Sequence, residues 1–147
     1  MANICTNRFK VTGPAESVNA LKKRITNKRK KVVYWNGETG PALMDLDKAK
    51  GEDVGNQWAH DFSAPVIDKP GCYCIYYETR WGAPFDVYEK LAELFKDCTI
   101  TVWDWIEGNG GGKTKWKWNH ETNSLDIEES DERTDERFRR LIEDRQM

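Results

Sequence analysis

Long apolar runs, metal-spaced cysteines and a complete catalytic signature are all missing from this chain of 147 residues. No apolar stretch approaches the ~20 residues of a membrane-spanning helix, so no membrane embedding is expected. The segment Met1-Ala2-Asn3-Ile4-Cys5 passes straight into a strand pattern without a signal-peptide core, which makes the cytoplasm the expected location. Four cysteines, Cys5, Cys72, Cys74 and Cys98, match neither a zinc clamp nor a secreted disulfide framework. Reduced, buried thiols acting as small hydrophobes are the expectation. Only two histidines, His60 and His120, are present, and neither belongs to a nucleophile-base pattern. No cofactor and no metal are expected.

One charge sign does not dominate: the formal net charge is -2. Its distribution is uneven, however. Residues 8 to 31 carry nine Lys or Arg against Glu16 alone, whereas the segment from Asp126 onward has nine Asp or Glu against five Arg. Within the first block, Lys22, Lys23, Arg24, Lys28, Arg29, Lys30 and Lys31 put seven cations into ten positions, a pattern that binds phosphate backbones without reading sequence. The acidic pI of about 5.8 argues against a dedicated nucleic-acid binder.

What the chain does have is tryptophan. Five of seven, Trp81, Trp103, Trp105, Trp116 and Trp118, fall in its later half, marking an aromatic core or an aromatic recognition surface. Alternation over Ile4 to Thr12 predicts a half-buried strand, with Cys5, Asn7, Phe9 and Val11 on one face. Pro14 opens a helix that buries Val18, Leu21 and Ile25 and carries the cations through Lys31 in its last turns. A short strand is expected at Val32 to Trp35, and residues 36–57 are expected to form a mobile surface insertion. Gln57 to Val66 and Cys72 to Trp81 read as a hairpin turning at Asp68-Lys69-Pro70-Gly71. Pro84 then starts a second helix with Val87, Tyr88, Leu91, Leu94 and Phe95 on its apolar face. Strands follow at Cys98 to Glu107 and Lys113 to His120, with a further short one through Leu125 and Ile127. Ser130 is the expected cap of a last helix docked by Phe138, Leu141 and Ile142. One domain over 1–147 is expected, with 113–147 as a C-terminal extension. Its fold class is α+β: a ferredoxin-like βαββαβ sandwich with an antiparallel sheet, an extra C-terminal hairpin strand and a C-terminal helix.

Asn3 to Asn7 leading to Val11-Thr12-Gly13-Pro14, together with Glu78 to Pro84, Leu91 to Phe95 and a strand ending in Glu107-Gly108, resembles the YubB-type ferredoxin-like family of plasmid and phage proteins. The resemblance covers residues 3–14 and 72–112. It implies a mobile-element protein with an α+β sandwich and names no catalytic residues.

Gly108 to Thr114 invites comparison with a phosphate-binding loop, but Glu107 stands where that motif needs glycine, and Lys113 to Trp118 alternates as a strand. A hairpin loop is the reading. On the preceding strand, Ile100, Val102 and Ile106 share one face, and Thr99, Thr101, Trp103 and Trp105 share the other. If Gly108 pairs with Lys113, then Trp103, Trp105, Trp116 and Trp118 lie together as a base-stacking surface; a one-residue slip lays lysines over the first two rings instead. The opposing expectation is that the last helix covers this face and turns it into a second core. Arg80, Glu78, Asp104 and Glu107 are a candidate carboxylate-arginine group. The expected function is non-enzymatic: a phage or plasmid accessory protein that binds a host or element protein, as a counter-defence factor or regulatory inhibitor. The second reading is an RNA or single-stranded DNA binding module using the four tryptophans and the basic helix end, Arg80 being a further candidate binding residue. The third is an uncharacterised enzyme.

Overall fold

The computed structural model describes residues 4–55, 57–106 and 110–130. The central strand, β1 (Ile4–Thr12), follows the alternation of its sequence, with Cys5, Asn7, Phe9 and Val11 all buried on one face. Helix α1 (Ala15–Ile25) buries Val18, Leu21 and Ile25, its every third or fourth residue. It stops at Thr26, which turns extended while both its N–H (3.1 Å) and its Oγ1 (2.7 Å) donate to the Lys22 carbonyl.

The expectation that α1 runs on to Lys31 is therefore corrected. Lys28, Arg29, Lys30 and Lys31 belong to β2 (Asn27–Val33), which pairs with β3 (Thr39–Ala42) in a separate two-stranded sheet. Asn27 is a poor helix former and ties the corner, its Nδ2 donating to Asp45 Oδ2 at 2.8 Å. Four successive cations would also repel one another across a helical turn, whereas an exposed strand spreads them into solvent.

Residues 36–55 likewise hold more regular structure than their composition suggests. Helix α2 (Leu46–Lys50) is capped by Asp45, whose side chain accepts from the Lys48 N–H, and closes at Gly51 in the left-handed region. Leu43, Met44, Leu46 and Ala49 enter the main core. A short apolar cluster thus anchors what reads as a polar insertion.

The expected strand Gln57 to Val66 is broken. Only β4 (Ala59–His60) and β5 (Ile67–Lys69) pair, both with β6 (Cys72–Arg80). Pro70-Gly71 makes the β5–β6 turn, with Gly71 at φ +82°, a conformation that suits glycine. After β6 come α3 (Phe85–Leu94), β7 (Thr99–Ile106), β8 (Gly110–Asn119) and β9 (Ser124–Ser130). Leu94, expected on the apolar face of α3, is exposed, and Ala92 is buried in its place. Ser130 ends β9 opposite Lys113. The helix expected beyond it, with Phe138, Leu141 and Ile142, lies outside the described residues.

The result is an α+β architecture: a seven-stranded antiparallel sheet in the order β4-β6-β1-β7-β8-β9, with β5 also on β6. Contacts place α1 on β6, and α3 on β7 and β8. Phe9, Ile75, Ile100 and Val102 meet Leu21, Val87 and Leu91 between the layers. Each such side chain contributes about 1.5–3 kcal/mol through removal from water. Among the described residues no helix is long and apolar enough to cross a membrane.

Candidate nucleic-acid interface

Register decides the fate of the tryptophans. β7 pairs with β8 so that Trp103 faces Lys113, Trp105 faces Gly111 and Ile100 faces Trp116. Directly paired residues share a face, so the four rings fall into two pairs on opposite sides of the sheet. Trp116 and Trp118 lie on the helix side. Trp116 is 2% exposed and packs on Tyr88 (5.5 Å between centroids) and Phe85 (6.0 Å). Trp118 sits under the Lys96 ammonium at 4.2 Å. The stacking surface of four rings does not form.

Trp103 and Trp105 lie on the opposite, open side. There β1 contributes Thr6, Arg8, Lys10 and Thr12, β7 contributes Thr99, Thr101, Trp103 and Trp105, and β8 contributes Gly111, Lys113, Lys115 and Lys117. None of these is a carboxylate. The Arg8 guanidinium lies 4.2 Å from the Trp103 ring centre, and the Lys113 ammonium 5.4 Å from it. Both cations are thereby held against the face by attraction to the ring. Acidic side chains occur on the flanks, as Glu78 on β6 and as Asp126 and Glu128 on β9, opposite Lys117 and Lys115.

Some of the open face is closed over. Trp105, 7% exposed, and Tyr76 form a second small core with Trp35 and Trp103, and Trp35 donates its indole N–H to the Asp61 carbonyl at 2.7 Å. The cover expected from the last helix is thus supplied, among the described residues, by the chain just after β2. No pattern in the sequence signals this, because Trp35 is remote from the other rings in the chain.

The seven-cation run is dispersed rather than displayed as one patch. Lys22 forms an ion pair with Asp68 at 2.8 Å, and Arg24 donates to the Ala49 carbonyl at 2.7 Å. Lys23, Lys28 and Arg29 border a basin of about 650 Å³ together with Lys48, Thr26, Asn27 and Asp45. Lys30 lines a different cleft beside Met44 and Trp58, and Lys31 pairs with Pro41 across the small sheet. Arg80 stacks on Trp58 at 4.3 Å.

The carboxylate-arginine group also separates. Glu78 and Arg80 share the open side of β6, whereas Asp104 points to the helix side between Asn7 and Gly112; Glu107 lies outside the described residues. Burial pushes the Asp104 carboxyl up to about 6. His60 Nδ1 is 3.9 Å from Glu78, and burial lowers its pKa, reinforced by Arg80 and Lys30.

A buried polar chain accounts for much of the motif-like sequence. The Tyr88 hydroxyl donates to Asn7 Oδ1 at 2.8 Å and is hydrogen-bonded to Tyr77, while Asn7 Nδ2 donates to Thr79 Oγ1 at 3.0 Å. Thr79 in turn donates to the Gly82 carbonyl at 2.7 Å, bracing a turn in which Trp81 takes φ +69°. Such buried groups must be paired, so Asn7, Thr79 and Gly82 have structural reasons to be there. A polar Asn7 on the apolar face of β1 was the signal for it.

Burial raises the Cys5 thiol to about 12 and the Cys98 thiol to about 11, far from the range of a nucleophile. Among the described residues no three His, Cys, Asp or Glu side chains gather as a metal site. Packing explains Gly111: a Cβ there would run into the Asp104 carbonyl oxygen of β7. No protein-family model, curated protein or solved structure matches the chain.

Proposed function

We propose that the protein is a non-catalytic module that binds single-stranded nucleic acid, RNA or DNA, on the open face of its sheet. The observation that carries this is the set Arg8, Lys10, Lys113, Lys115 and Lys117 on three adjacent strands without an interspersed carboxylate. Along β8 the lysines recur every second residue, about 6.8 Å apart, a spacing suited to successive phosphates of an extended strand. Threonine hydroxyls at 12, 99 and 101 add neutral hydrogen-bonding groups between the cations. The pattern supports a nucleic acid over the host or element protein that the resemblance first suggests, because it offers charge to a polyanion rather than an apolar anchor.

The same proposal takes the strand series β4/β5-β6-β1-β7 with α1 and α3 as a ferredoxin-like unit to which β8 and β9 are added. The YubB-type resemblance then supports a plasmid or phage setting. Fluorescence anisotropy with a labelled 20-nucleotide single strand tests the binding. Affinity should fall as salt rises, with a log-log slope of roughly -2 to -3.5 for up to five phosphate contacts. A Lys113→Glu/Lys115→Glu variant should bind at least about tenfold more weakly. Absence of binding at low salt overturns the reading.

A further inference from the structure

A groove outside the sheet face lies between α1 and the β5–β6 turn. It encloses about 390 Å³ and is lined by Ala15, Val18, Asn19, Lys22, Asp68, Pro70 and Tyr73, among others. Ala15, Asn19 and Lys22 stand at i, i+4 and i+7, one ridge of the helix. The volume is that of a small-molecule pocket.

Tyr73 sets this groove apart. The residue is 1% exposed, and its hydroxyl has no hydrogen-bond partner. A buried hydroxyl left unpaired is destabilising, and phenylalanine would fill the same space without that cost. Above the ring, the Lys22 ammonium sits 4.9 Å from its centre while bonding both carboxylate oxygens of Asp68 at 2.8 Å. This ion pair lies exposed as a strap beside the phenol.

The lining also restricts what can bind. Lys22 and Lys69 balance Glu16 and Asp68, so the groove carries no net charge to attract a phosphate or a carboxylate. Its apolar walls are Ala15, Val18 and Pro70, and its polar groups are the Asn19 amide, two carboxylates and two ammonium groups, with the buried Tyr73 hydroxyl behind them. Flat neutral heterocycles with donors and acceptors on their edges match this lining, since amides and carboxylates read base edges.

We infer that the groove accepts one nucleobase. The inference rests on the nucleic-acid reading for its biological sense: Tyr73 and Asp68 place the groove on the helix side of the sheet, and the β5–β6 turn is the edge around which a strand on the open face would reach it. Lys69 pairs with Cys72, and that row continues through Thr12, Thr99 and Lys117 across the open face. A strand crossing the face along this row arrives at the β5–β6 turn, where its terminal base can enter the groove.

The test uses the four ribonucleosides, which carry a base but no phosphate, titrated into the full chain and followed by amide NMR. At least one nucleoside should shift the signals of Asn19, Lys22 and Gly71, and ribose 5-phosphate should not. Tyr73→Phe should weaken that binding at least fivefold, and the surface variant Asn19→Ala should weaken it independently of any folding defect. Shifts absent from these amides for all four nucleosides overturn the pocket, as does unchanged affinity in both variants. Oligonucleotide binding by anisotropy keeps the two proposals apart. Binding of the strand without any nucleoside effect rejects the groove alone, and nucleoside binding without strand binding supports the groove while rejecting the sheet face.

Discussion

Trp103 and Trp116 sit on neighbouring strands of one sheet and live in opposite surroundings. Trp116 is sealed between β8 and α3 against Tyr88 and Phe85; Trp103 lies on the open face under Arg8 and Lys113. Identical side chains thus serve as core on one side and as an organiser of surface cations on the other. A single residue of register separates these roles, because moving a strand by one position exchanges its faces.

The largest contrast is in stability. Trp116→Ala should cost about 4 kcal/mol, the usual range for a buried large aromatic, whereas Trp103→Ala should cost about 1 kcal/mol or less. Urea unfolding of the two variants measures both, and equal losses would break the distinction between the faces. Gly111→Ala comes next, at about 3 kcal/mol, since its new methyl must displace the β7 backbone. A shifted urea midpoint with an intact sheet signal would sharpen the claim that this glycine fixes the β7–β8 register.

Asp104 gives a smaller, pH-dependent effect on the helix side. Its folded-state carboxyl is raised from 3.8 to about 6, so the folded state holds the proton more tightly than the unfolded chain. The stability it contributes is therefore present below its unfolded value and lost as pH rises through about 6. Asp104→Asn should exceed the parent by on the order of 2 kcal/mol at pH 7.5 and converge with it near pH 3.5. Thermal melts at the two pH values measure the crossover, and a constant difference would remove the assignment.

Much of the layered core was legible because periodicity is local. Val18, Leu21 and Ile25 announce α1, and Phe9 and Val11 announce the buried side of β1. The end of α1 was not legible, because the bonds from Thr26 to Lys22 and from Asn27 to Asp45 outweigh the helix-friendly lysines that follow. The anchoring of the segment after β2 is hidden for the opposite reason: Leu43, Met44 and Leu46 are too few to show a period but enough to reach the core. At the candidate site, the rings and the lysines of β8 could be assigned to faces of their own strands. Their relation across the β7–β8 pair could not, since alternation is silent about register. Arg8 and Lys10 are not signalled by the sequence, because only the sheet brings Arg8 beside Trp103 and Lys10 beside Thr101.

The indole N–H signals of the tryptophans test the central claim most directly, by two-dimensional ¹H–¹⁵N NMR as a single-stranded oligonucleotide is added at low salt. The account predicts that Trp103 shifts, as its covering Arg8 and Lys113 engage phosphates, while Trp116 and Trp118 stay in place. Shifts at Trp116 or Trp118 with Trp103 unmoved would contradict it.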